Sequence, residues 1–97
     1  MGMIYKILDL RTGEIVYIGS TQKSGFLRRF YAHYYNAKPE RIGPRSMKIS
    51  KHICQEGPRN FDILEHEEWN CALARDLVAR EHHWIREFKP ICNVHGR

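Results

Sequence analysis

Glu81 is the residue that fits a core least well. On a helical wheel Leu77, Val78, Trp84 and Ile85 all fall within about 60° of it, so a helix here aims a carboxylate from the middle of its apolar face. A carboxylate stripped of water needs a cation, a metal ion or several donors. An internal arginine, or a side chain bent out to solvent, would satisfy it with no chemistry involved. Arg29 and His33 stand four residues apart and share one helix face. They border the stripe of Phe26, Phe30 and Tyr34, where a side chain reaches a cleft while its helix packs. The planar donors of an arginine suit a phosphate oxygen, although a solvated helix edge has the same spacing. Tyr5 and Tyr17 fall on adjacent candidate strands and would present two phenols to one face if those strands pair. Buried tyrosines also serve as plain core with the hydroxyl satisfied. His82, His83, Cys92 and His95 match no common zinc spacing.

The elements that must position these groups are legible in the hydrophobic period. Residues Met3 to Leu8 read as a short strand, and Ile15 to Ile18, closed by Gly19, as a second. The turn signal Arg11-Thr12-Gly13-Glu14 between them predicts an antiparallel hairpin. A helix is expected from Ser24 to Ala37, ended by Lys38-Pro39, and a weaker one from Arg45 to Gln55, ended by Gly57-Pro58. Phe61 to Leu64 reads as a third strand. A last helix is expected from an Asn70 N-cap to Phe88, before Pro90. The order is β-β-α-α-β-α. The expected class is α+β: a small three-stranded antiparallel sheet flanked by about three helices.

A chain of 97 residues suits one domain, and its composition (42% hydrophobic, 28% charged) excludes a disordered or low-complexity chain. No apolar run approaches the ~20 residues of a membrane span. The first residues lack the pattern of a secretory signal. Three widely spaced cysteines, Cys54, Cys71 and Cys92, read as reduced thiols, so the expected location is intracellular, in cytoplasm or nucleus. The net charge is +5, and residues 1–50 hold nine Lys/Arg against three Asp/Glu. A basic half on a small domain points to a polyanion partner, nucleic acid first.

In this order the residues resemble the GIY-YIG nuclease superfamily. The chain carries Ile4-Tyr5, then Tyr17-Ile18-Gly19-Ser20, then the Arg-x-x-x-His of Arg29 and His33, then Glu81 ahead of Trp84-Ile85, and Asn93 near the C-terminus. Ser46-Met47-Lys48-Ile49 and Phe61 to Glu65 are also similar to the central part of phage-type homing-endonuclease catalytic domains. The resemblance covers nearly the whole chain and implies one nuclease domain over residues 1–97. Two positions depart from the pattern. Met3 stands where a Gly is expected, with Gly2 one step away. Ser20 stands where some members carry Lys, with Lys48 a candidate replacement charge.

The resemblance implies hydrolysis of a DNA phosphodiester with a divalent cation, Mg²⁺ or Mn²⁺. Glu81 would be the metal ligand and Arg29 would bind the scissile phosphate. Tyr17 would take the proton of the attacking water, with Tyr5 and His33 orienting it, or His33 would itself be the base. Asn93 would help fix the geometry, and Gly19 would let the backbone come close. DNA is the expected partner. A homodimer and a separate targeting subunit both remain open, since one such site cuts one strand at a time. The alternatives are a catalytically inactive nucleic-acid-binding module on the same scaffold, and a basic interaction domain of unrelated fold.

Overall fold

The structure, a computed structural model, describes residues 2–70 and 73–93. Strand β1 (Gly2–Asp9) and strand β2 (Glu14–Gln22) form the expected hairpin. Helix α1 (Phe26–Asn36) and helix α2 (Lys48–Glu56) follow, then strand β3 (Phe61–Trp69) and helix α3 (Ala74–Phe88). The sheet is antiparallel in the order β2-β1-β3, so β1 is central. This is the expected α+β class and element order.

The strands alternate, and each face carries its own core. Tyr5, Ile7 and Tyr17 face α1 and α2, where they meet Ile49 and Ile53 with Phe26, Phe30 and Tyr34 packed alongside. Ile4 and Ile18 face α3, where they meet Leu77 with Trp84 and Ile85 packed alongside. Burying each such side chain contributes about 1.5–3 kcal/mol. A bulge decides which residues go where. Ile7 pairs with Tyr17 while Leu8 pairs with Ile15, which leaves Val16 as the extra residue. Tyr17 therefore faces α1, although Ile15, two residues earlier, packs on the α3 side. A second bulge on β3 puts Glu65 opposite Tyr5 and Glu67 opposite Ile4.

Several boundaries differ from the sequence reading. β2 and β3 run on to Gln22 and Trp69 because β1 continues to pair with them, Gly2 with both. α2 starts at Lys48 rather than Arg45, because the Ser46 hydroxyl accepts from the Gly43 N–H (2.9 Å) and holds that stretch in a turn. Asn70 is not the N-cap of the last helix: Leu73 precedes Ala74 in that place, since the strand extends to Trp69. Val78 is 43% exposed, so the apolar face of α3 is narrower than the wheel suggests.

α3 ends on Lys89 in the left-handed conformation, before Pro90. The chain then lies along the outer edge of β2, where the Cys92 N–H donates to the Val16 carbonyl (2.9 Å). No helix among the described residues is long and apolar enough to cross a membrane.

Candidate active site

The site gathers around β2, and its centre is aromatic. Tyr5 is 1% exposed, His33 6% and Tyr17 8%. Tyr5 and Tyr17 share a face on neighbouring strands, but they are diagonal: the residue directly opposite Tyr5 is Gly19. The two tyrosine rings lie 6.3 Å apart, and the His33 ring meets Tyr5 at 5.6 Å and Tyr17 at 5.5 Å. The Tyr5 hydroxyl and His33 Nε2 are hydrogen-bonded at 2.9 Å. The helical period of α1 delivers His33 to this point, because Phe26, Phe30 and Tyr34 bury the neighbouring stripe.

Electrostatics tie the remaining groups to this cluster. Burial raises the pKa of Tyr17 and the Glu81 carboxylate raises it further, while the Arg29 guanidinium and the neighbouring Tyr5 hydroxyl pull it down. Burial, above all, drives the Tyr5 phenol well up. His33 is lowered to about 4 by burial and then by Arg29, so the imidazole is neutral at pH 7. Arg29 thus acts on all three rings from an exposed position, and it makes no hydrogen bond or ion pair among the described residues. Lys48 acts instead on the Cys92 thiol, which burial pushes up to about 11.

Two carboxylates come to the α3 side of the sheet, and they are satisfied differently. Glu67 takes both arms of Arg80, at 2.6 and 2.8 Å, and the Trp84 indole N–H at 3.0 Å. Arg80 stacks over Trp69 and Trp84, and its donation holds the Glu67 carboxyl at about 2. Sequence reasoning missed this pair because a β3 bulge sets its register. Glu81, the next residue on α3, accepts a hydrogen bond from the Ser20 hydroxyl and has no ion-pair partner among the described residues. The internal arginine that would have explained Glu81 away is taken by Glu67.

A half-buried carboxylate with one hydroxyl and no cation suits a hard divalent ion. Among the described residues no group of three His, Cys, Asp or Glu side chains gathers as a metal cage. Mg²⁺ does not need one, since it keeps several waters and takes one or two carboxylates plus phosphate oxygens. His95, part of the zinc set weighed above, lies outside the described residues.

Asn93 clamps the strand that carries Tyr17. Its Oδ1 accepts from the Ile18 N–H at 2.8 Å and its Nδ2 donates to the Ile18 carbonyl at 2.9 Å. Gly2 has a similar service: a Cβ there would meet Leu77 Cδ1 at 2.6 Å, so its bareness lets α3 approach β1.

The sequence matches the GIY-YIG catalytic-domain model over residues 1–94, the span that holds every group just described. The chain belongs to the GIY-YIG family. Nuclease-type enzymatic activity comes with that membership. The fold of this GIY-YIG domain is also that of the catalytic domain of the homing endonuclease I-TevI, with a TM-score of 0.76 at 21% identity, over 99% of this chain and 100% of that one. No curated protein matches the sequence significantly.

Proposed function

We propose that this GIY-YIG domain is a metal-dependent endonuclease that hydrolyses DNA phosphodiester bonds, with residues 1–97 acting as one catalytic domain. The observation that supports it is the position of the Tyr17 phenol. It feels both the Glu81 carboxylate and the Arg29 guanidinium, and its ring lies against those of Tyr5 and His33.

Arg29 binds the scissile phosphate and offsets the charge that builds on phosphorus in the transition state. Its exposed guanidinium leaves its donors available for that contact. Glu81, oriented by Ser20, would hold one Mg²⁺ or Mn²⁺ ion. Such an ion, when bound, would supply positive charge for the departing 3′ oxygen. Tyr17 takes the proton of the attacking water. A phenol with a pKa near 10 is ionised in only about one part in a thousand at pH 7, and burial lowers that fraction. A preformed phenolate is therefore scarce, and the contacts of the Tyr17 ring with Tyr5 and His33 support a relay. As Tyr17 gains the water proton, its own passes on toward the neutral His33, whose ring it faces and whose Nε2 is hydrogen-bonded to the Tyr5 hydroxyl. His33 is the terminal base, and Tyr17 is the group that touches water. Asn93 keeps β2, and with it Tyr17, in place.

Supercoiled plasmid incubated with Mg²⁺ is expected to open to nicked circles, and EDTA to prevent it. Glu81→Ala is expected to bind DNA and not cut it. Wild-type cleavage by that variant would remove the metal-ligand role.

A further inference from the structure

A groove of about 560 Å³ opens beyond the C-terminal end of α1, between that helix, the following loop and the start of α2. None of Tyr5, Tyr17, Arg29, His33 and Glu81 lines it. Its wall includes Asn36, Arg41, Pro44, Arg45, Ser46 and Met47, and no acidic residue lines it. Arg41 and Arg45 are both exposed, and neither forms an ion pair among the described residues.

The groove is organised before any ligand arrives. Arg41 stacks on the Tyr35 ring at 4.2 Å and donates to its hydroxyl at 3.1 Å. Lys38 adds its ammonium 5.3 Å from the same ring. The Ser46 hydroxyl accepts from the Gly43 N–H and donates to the Arg41 carbonyl at 3.4 Å, which braces the loop. The held guanidinium of Arg41 beside the exposed Arg45, in a concavity with no acid, suits the phosphates of a polyanion. The groove is also continuous with the catalytic helix. Arg29 and Asn36 are seven residues apart on α1, about 10 Å along its axis.

We infer that this groove is a DNA-backbone subsite, in which Arg41 and Arg45 hold phosphates of the substrate away from the one at Arg29. The inference rests on DNA being the substrate, as proposed above.

The test is duplex-DNA binding in EDTA, measured by fluorescence anisotropy across a range of salt. Counterion release predicts that removing two phosphate contacts lowers the log–log salt slope by about 1.8 and weakens binding at 0.1 M salt by some tens of fold. The double variant Arg41→Ala/Arg45→Ala is expected to show both changes. Arg41→Lys/Arg45→Lys is expected to keep the slope. Arg59→Ala, which removes a cation beyond the far end of α2, is expected to behave as wild type. An unchanged slope in the double alanine variant, an equal loss in Arg59→Ala, or an equal loss in the lysine pair overturns the inference. Wild-type protein that never nicks DNA, yet shows the expected loss of slope on double substitution, removes the proposed activity and leaves the groove standing. Cleavage with no change of slope does the reverse.

Discussion

The ring of Tyr5 lies over Gly19, in the space that a side chain there would need. The two residues are directly opposed across β1 and β2, and a Cβ on Gly19 would overlap the phenol carbon and hydroxyl of Tyr5. Tyr5 cannot retreat, because it is buried against Phe26, Tyr17 and His33. Gly19→Ala is therefore expected to displace the phenol and break its bond to His33. Overpacking of this kind costs about 1–3 kcal/mol of stability. A misplacement near 1 Å at the relay costs about a hundredfold in rate. Thermal melts and cleavage rates measured side by side check this: a variant that stays folded and cuts at the wild-type rate contradicts the relay geometry.

Tyr17→Phe removes the hydroxyl proposed to meet the attacking water and leaves the ring packing in place. The expected loss is about 10²–10⁴-fold in the cleavage rate, with DNA affinity little changed. Single-turnover cleavage paired with equilibrium binding separates the two quantities. A wild-type rate would move the first proton transfer to His33 or Tyr5.

Asn93→Ala releases both backbone groups of Ile18 from their clamp. Two part-buried hydrogen bonds lost at one strand edge are expected to cost about 1–3 kcal/mol. Because Ile18 follows Tyr17, the rate is expected to fall with the melting temperature, while DNA affinity at saturating protein stays near wild type. Amide exchange at Ile18 gives a readout that activity alone does not: its protection is expected to drop.

His33 makes stability depend on pH in a definite direction. Its folded-state pKa of about 4 lies below the ordinary 6.5, so between these values the unfolded chain binds a proton that the folded protein does not. The contribution is fully present above pH 6.5 and is lost as pH falls toward 4. The linked loss is on the order of 3 kcal/mol. Chemical denaturation between pH 7 and 4 is expected to show a shallower decline for His33→Gln than for wild type. Parallel curves would mean that His33 titrates normally in the folded state.

Much of this molecule is local physics. Alternation of Ile, Tyr and Val makes the hairpin, and a spacing of four puts Arg29 and His33 on one side of α1. The placement of Glu81 among apolar neighbours already singles out an acid that needs a partner. Those properties depend on side-chain type and on the period of helix and strand, so a linear reading reaches them.

The partners are another matter, because they depend on register and on contacts between distant segments. A bulge of one residue at Val16 turns Tyr17 toward α1, and no propensity announces it. A second bulge brings Glu67 to Arg80, which leaves Glu81 to Ser20 across 61 positions of chain. Asn93 reaches Ile18 from 75 residues away, by way of a left-handed turn at Lys89. Hydrophobic burial holds the sheet and helices together without direction, so composition and period specify the elements. Hydrogen bonds and ion pairs are directional and short, and only the packed structure decides which donor meets which acceptor.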